Sequence, residues 1–267
     1  MTAEPARRRG LWYSLAAVVV VVVTLVSGGT VVTWLLEQHA QQTTGYTDRD
    51  VRAVQVFAPD AGVRIVSGPD RSASVTAKLT WVTSKPLVDV QLDAQGVLSV
   101  KVSCDSQGKF LAGFGTCSAD VDIQVPPAAS VDARTSSGAI TVTALTGPVQ
   151  ARASSGAITL NNLSGDVDAQ ASSGAIEASG LTSTTVSATA GSGSVDLDFA
   201  HPPSKVTTSV TSGALSLALP RGSRYHVTAS VGSGAGAASV DDGLASDSAP
   251  GLITATATSG AISISYR

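Results

Sequence analysis

The residues that could do chemistry in this chain of 267 residues are few and scattered. His39, His201 and His226 are its three histidines. No carboxylate or nucleophile accompanies any of them locally at a defined spacing, so they read as surface or turn residues. Ser-Ser-Gly and Gly-Ser-Gly triplets invite comparison with nucleophile turns, which need a strand-to-helix setting and separate acid and histidine partners. Here the serine recurs in copy after copy of a β-turn. A catalyst is needed once, so repetition indicates structure. Asp196 and Asp198 alternate along one segment, and Asp241-Asp242-Gly243 with Asp247 makes an acidic loop. Paired carboxylates can hold calcium or act as acid and base in glycoside cleavage, but solvated faces and loops are the commoner setting. The Gly-Gly-x-Gly-x-Asp calcium repeat is absent. The sequon Asn162-Leu163-Ser164 is too short a pattern to carry weight. We assign no catalytic, cofactor-binding or metal-ligating residue, and expect no cofactor.

Cys104 and Cys117 are the only cysteines. An even count suits a disulfide in an oxidising compartment. The glycine-rich stretch between them suits a loop, and closing it stabilises by about 3 kcal/mol on the chain-entropy estimate. Two cysteines with no histidine nearby do not make a tetrahedral zinc site. Phe110 and Phe114 in this loop are expected to pack back onto the sheet.

The elements that position these residues are written in a repeat. Ser-Ser-Gly-Ala-Ile occurs with its glycine at Gly138, Gly156 and Gly174, a spacing of 18. Looser copies centre on Gly193, Gly213, Gly234 and Gly260. Seven residues before these glycines stand Val131, Val149, Val167, Val186, Val206, Val227 and Ile253. Two residues after them come Ile140, Ile158, Ile176, Val195, Leu215 and Ile262, with Gly236 as the exception. Strand, Ser-Gly turn and second strand therefore keep a constant length, and growth is expected only in the connections, which stacked repeats tolerate. Within a unit, Val149, Ala151 and Ala153 alternate with outward Gln150 and Arg152. Aligned units place Asp132/Arg134 and Asp168/Gln170 on the same outward face. Period two is the strand signature. The turn glycines are expected to supply a backbone conformation that a Cβ would obstruct. Residues 228–251 form the longest insertion and the best loop for contact with a partner.

One such unit cannot bury its apolar face alone. The expected fold is all-β: a β-solenoid-like stack of short strands over a seven-unit repeat at about 128–267, with an antiparallel β-sandwich as the alternative. Residues 51–126 alternate in the same way without the period, and are expected to open one continuous domain spanning 51–267, with Trp81 as core or end cap.

Residues 11–36 contain no charge, and about 20 apolar residues span a bilayer core. Trp12, Tyr13 and Trp34 mark the ends, Arg7 to Arg9 precede, and Glu37, Asp48 and Asp50 follow. Aromatic ends and positive flanks predict one transmembrane helix, a cytoplasmic tail at 1–10 and everything beyond outside the membrane. A cleaved signal peptide would have a shorter apolar region and a small-residue cleavage site. Residues 37–50, polar and without period, read as a linker. With 17 basic residues against 20 acidic and no basic cluster beyond the tail, nucleic-acid binding is not expected.

The run VDIQVPPAASVDARTSSGAITVTALTGPVQARASSGAITL resembles a bacterial family of candidate adhesins, β-strand repeat proteins of unknown function. The resemblance covers about residues 50–267 and implies the fold and an envelope location; it brings no catalytic residues. The function expected is a membrane-anchored cell-envelope protein whose non-catalytic rod serves adhesion, scaffolding or sensing, with an envelope protein or polymer as partner. The alternative is a polysaccharide-cleaving β-helix enzyme, which would need an acidic and basic ladder that the aligned units lack.

Overall fold

The computed structural model describes residues 18–19, 38–47, 49–82, 84–104, 117–232 and 236–267. The expected span 11–36 lies outside them except for Val18 and Val19, which are helical. Among the described residues no helix is long and apolar enough to cross a membrane.

The repeat folds as rungs, each laying one arm on either side of its Ser-Gly turn. β8 (Ser130–Thr135) and β9 (Ile140–Thr143) make the first repeat rung, β10 (Val149–Ala153) and β11 (Ile158–Asn161) the second, and β12 (Val167–Ala171) and β13 (Ile176–Leu181) the third. In the next two rungs the arms fuse into the long strands β14 (Thr185–Phe199) and β15 (Lys205–Leu219). All these rungs pair in parallel. Val131, Val149, Val167, Val186 and Val206 form one column, and Ile140, Ile158, Ile176, Val195 and Leu215 form another. Both columns are buried, each large aliphatic stabilising by about 1.5–3 kcal/mol. Between the arms the interior narrows, and Ala133, Ala151, Ala169 and Ala188 fill it. Leu145, Leu163 and Leu181 plug the connecting corner. The corner is also tied from rung to rung: Ser164 N donates to Leu145 O at 3.0 Å and Thr182 N to Leu163 O at 2.8 Å. The fold is thus the β-solenoid-like stack, and the sandwich alternative falls.

Chain order and rung order part company at both ends. β16 (Tyr225–Val231) and β17 (Ala238–Val240) precede β18 (Gly251–Tyr266) in sequence. Yet β18 pairs with β15 on one edge (Val206 with Ile253, Leu215 with Ile262) and with β16 and β17 on the other (Val227 with Ile253, Ala238 with Ile262). The final repeat is the penultimate rung. Because Ala238 lies opposite Ile262, Gly236 takes the place level with Gly260; the expected Gly234 lies outside the described residues. The sixth unit therefore carries its extra two residues in the turn, against the expectation that only the connections grow.

At the other end, β2 (Ala53–Phe57) and β3 (Ala61–Ser67) join β8 and β9 in parallel, with Val54 opposite Val131 and Val63 opposite Ile140. Their other edges take β6 (Val97–Ser103) and β7 (Cys117–Val125). Residues 51–125 and the repeat thus share continuous sheets. Among the described residues antiparallel pairing is confined to this end: β4 (Ser72–Trp81) on β7, β5 (Leu87–Leu92) on β6, and β1 (Gln38–Thr47) on β4. β1 corrects the linker expected at 37–50. It pairs along its whole length, from Gln38 opposite Trp81 to Thr47 opposite Ser72, but both its faces are largely exposed, so no hydrophobic period betrays it. Cys104 and Cys117 are disulfide-bonded with Cα atoms 6.1 Å apart, linking the end of β6 to the start of β7. Phe110 and Phe114 lie outside the described residues.

The turn glycines stack. A Cβ on Gly156 would run into the carbonyl oxygen of Gly138, one on Gly174 into that of Gly156, and the contact repeats through Gly193, Gly213, Gly260 and Gly236. Gly138 meets Ala61 O in the same way. Gly193, Gly213 and Gly260 also have φ of +149°, +149° and +146°, which side chains disfavour. Gly138, Gly156 and Gly174 do not share that φ. For these three, the expected conformational reason gives way to a steric one: adjacent rungs approach too closely at the turn to admit a side chain.

Tyr225 closes the β16 end. It is buried against Gly251, where a Cβ would lie 2.6 Å from Tyr225 Cδ1. Its hydroxyl has no hydrogen-bond partner among the described residues: Ser223 lies close, but its hydroxyl donates to Pro220 O. Burial pushes the phenol above its ordinary value, and the proximity of Ser223 offsets this only in part. A raised folded-state value favours the neutral form, so this stability is full below pH about 10 and is lost as pH rises through the folded-state value. Tyr225→Phe is expected to match or exceed the parent in stability at neutral pH, since it removes an unpaired buried hydroxyl. It should also flatten the alkaline fall in a pH series of urea midpoints.

Candidate ligand-binding face

The candidates for chemistry do not converge. His201 and His226 are exposed, and His226 Nδ1 is 3.9 Å from Asp247 Oδ1. His39 Nδ1 lies 3.2 Å from Thr80 Oγ1 at the opposite end. Asp196 pairs in register with Glu177, while Asp198 takes an ion pair from Arg267 Nε at 2.9 Å. Asp241 Oδ2 accepts from Tyr266 N at 2.9 Å, serving the fold. Ser136, Ser154 and Ser172 line up on the outer corner beside the glycine stack. Among the described residues no three of His, Cys, Asp or Glu gather as a metal site.

What the fold does assemble is a row. Parallel register carries outward side chains into straight lines along the stack axis. One line runs Ser99, Gln55, Asp132, Gln150, Asp168, Ser187; the next runs Lys101, Phe57, Arg134, Arg152, Gln170, Thr189. Farther along, both turn to hydroxyls: Thr207, Thr254 and Thr228 in one, Ser209, Thr256 and Ser230 in the other.

The polar groups are mutually held. Arg134 grips Asp132 with two bonds, Nε to Oδ1 at 3.0 Å and Nη2 to Oδ2 at 2.8 Å. That carboxylate raises the guanidinium's pKa, first through the hydrogen bond and then through its charge. Gln150 Nε2 donates to Asp168 Oδ2 at 3.1 Å, and Gln170 Nε2 to the same oxygen at 3.2 Å. Arg152 is looser. Its guanidinium sits 3.8 Å from Asp132 and 3.6 Å from Asp168, and the buried Nη1 has no hydrogen-bond partner among the described residues. Phe57, 55% exposed, is the one large aromatic among the described residues left open to solvent.

A groove of about 570 Å³ follows this line, walled by Phe57, Arg134, Arg152, Gln170 and the corner serines. A smaller one of about 230 Å³ joins Phe57 to Lys101, Asp132 and Arg134. The surface offers donors, acceptors and one ring face. The outward pairs Asp132/Arg134, Gln150/Arg152 and Asp168/Gln170 were legible as outward in the sequence. Phe57 and Lys101 were missed, although the alternation Val54-Gln55-Val56-Phe57 already points Phe57 outward. Their meeting with Arg134 required knowing that β2 slots between β6 and β8.

The Toastrack DUF4097 family matches residues 56–197 and, overlapping, 114–241. No curated protein matches the sequence. Similar solved structures include a candidate cell adhesion protein of Clostridium sporogenes ATCC 15579 (13% identity, 86% of this chain and 100% of that one, TM-score 0.36). A candidate adhesin of Bacteroides fragilis NCTC 9343 shares 13% identity over 85% of this chain and 97% of that one, with a TM-score of 0.43. A candidate lipid-binding protein of Parabacteroides distasonis ATCC 8503 shares 10% identity over 86% and 97%, with a TM-score of 0.40. With a family match running across well over half its length, this chain belongs to the Toastrack DUF4097 family.

Proposed function

We propose that this protein is a non-catalytic binding module of the cell envelope, held to the membrane by residues 11–36 with its β-stack outside. The observation that carries this reading is the outer face: polar side chains repeat in register from rung to rung over a rigid core, which makes an extended contact surface. The uncharged stretch, its basic N-terminal flank and the cystine favour the membrane address and an oxidising exterior. An envelope protein or polymer is the partner such a face fits. An enzyme reading would draw on Asp132 and Asp168, whose oxygens already accept bonds from Arg134, Gln150 and Gln170.

Protease added to intact cells, followed by mass spectrometry of the membrane fraction, tests the address. The expected result is loss of peptides from 38–267 with retention of an intact N-terminal fragment. Protection of 38–267 until the cells are lysed would overturn the proposed topology.

A further inference from the structure

We propose that the face around Phe57, Arg134, Arg152 and Gln170 binds a neutral linear glycan lying along the stack axis. This deepens the binding-module reading by naming the chemistry of its partner.

Charge balance decides the ligand class. Lys101, Arg134 and Arg152 are the cations of the patch, and each has a carboxylate beside it. Asp89 is opposite Lys101 in register, and Asp132 and Asp168 flank the arginines. A polyanion laid here would meet Asp132 and Asp168, and a polycation would meet the arginines. A polyhydroxylated neutral chain can use both, giving hydroxyl protons to the carboxylates and accepting from guanidinium and amide.

Phe57 supplies what a sugar ring also needs, an apolar plane beside those polar forks. Exposing such a ring costs hydrophobic burial, and in register it stands between Lys101 and Arg134. Arg152 supplies an adaptable donor. It is held at 3.6 and 3.8 Å rather than in hydrogen bonds, and its Nη1 is unpartnered among the described residues, so turning it towards a ligand breaks little. The line from Lys101 to Gln170 crosses four inter-strand gaps, about 19 Å, room for a short oligosaccharide in extended form. The corner hydroxyls of Ser136, Ser154 and Ser172 rim the same groove.

The test is calorimetric titration of the full chain in detergent micelles with cellohexaose and with hexa-N-acetylchitohexaose, and with heparin as the polyanion. Saturable binding of at least one neutral hexamer, little changed by high salt, is expected. Phe57→Ala should weaken it about tenfold, and Arg152→Ala should weaken it as well. Glu177→Gln, exposed on β13 in the other arm and outside these rows, should leave it unchanged. Phe57 and Glu177 lie outside the core, so folding of these variants is not at stake. Failure of both neutral hexamers to bind, salt-sensitive binding of heparin alone, or wild-type affinity in Phe57→Ala and Arg152→Ala would each overturn the proposal. The protease experiment separates this from the wider reading: an externally exposed domain that ignores both hexamers sinks the glycan assignment alone.

Discussion

Replacing Gly156 with valine is expected to destabilise the folded chain by at least about 3 kcal/mol, the upper range for forced overpacking. The Cβ would occupy the space of the Gly138 carbonyl oxygen, and that atom is backbone, held by the Thr135 hydroxyl at 2.8 Å and flanked by Ser136 and Ala139, whose carbonyls accept from the two neighbouring rungs. It cannot swing aside as a side-chain end would. Relief requires the two rungs to part at the turn, which lengthens bonds such as Ser155 N to Ser136 O, now 2.7 Å. In a stack, each rung is held only by its neighbours, so the damage should spread both ways from the second repeat rung. Urea unfolding measures the loss. Hydrogen exchange should show protection falling in β8 and β9 as well as in β12 and β13. The control is Gly45→Ala in β1, where nothing lies within 4 Å of the new Cβ; it should change stability by no more than about 0.5 kcal/mol. Equal effects at the two glycines would refute the steric account.

Removing residues 251–267 is expected to abolish protection of β16 and β17 and to leave the chain unable to complete its core. If β18 were simply an end rung, its loss would expose one neighbour and leave the others standing. It lies instead between β15 and β16, and it supplies the buried Ile253, Ile262 and Ile264 with Ala255 and Ala257. The three isoleucines alone bury groups worth about 1.5–3 kcal/mol each, a sum comparable to the whole stability of a typical domain. Limited proteolysis should cut the truncated chain within Tyr225–Val231, which in the full chain is expected to resist through its pairing with β18. Adding the 251–267 peptide in trans should restore resistance, since the gap it fills is defined on both edges. A truncated chain that keeps β16 protected would show that β16 pairs directly with β15.

The stack itself was legible because its two strongest constraints are local. Gly138, Gly156 and Gly174 at a spacing of 18 and the alternation over Val149–Ala153 and Ile158–Leu160 report a turn without room and a buried face, and both show within adjacent units. Rung order is a long-range property. Val206, Val227 and Ile253 are interchangeable in pattern, so nothing local tells which is the neighbour of which. Spacing alone points to Gly234 as the turn glycine of the sixth unit, and only the pairing of Ala238 with Ile262 puts Gly236 there instead. β1 escaped notice because an edge strand with both faces in water needs no apolar period. The binding face was half visible: the outward polar pairs follow from alternation, while the meeting of Phe57, Lys101 and Arg134 follows from β2 lying between two strands far from it in sequence.

The inserted rung also sets a problem in time. β16 is synthesised before β18, and its column residues match those of β15 closely enough for the two to pair at once. Such a pairing would be a kinetic trap, a plausible sheet in a wrong order that must reopen before β18 can enter. Contacts that bridge distant segments form slowly, and exposed strand edges invite association while they wait. The two additional residues in the turn of the sixth unit give no protection, because that unit pairs both arms with β18, and β18 matches β15 residue for residue. The wrong order would satisfy both arms as well, so the order of the last two rungs rests on β18 displacing β16 from the edge of β15.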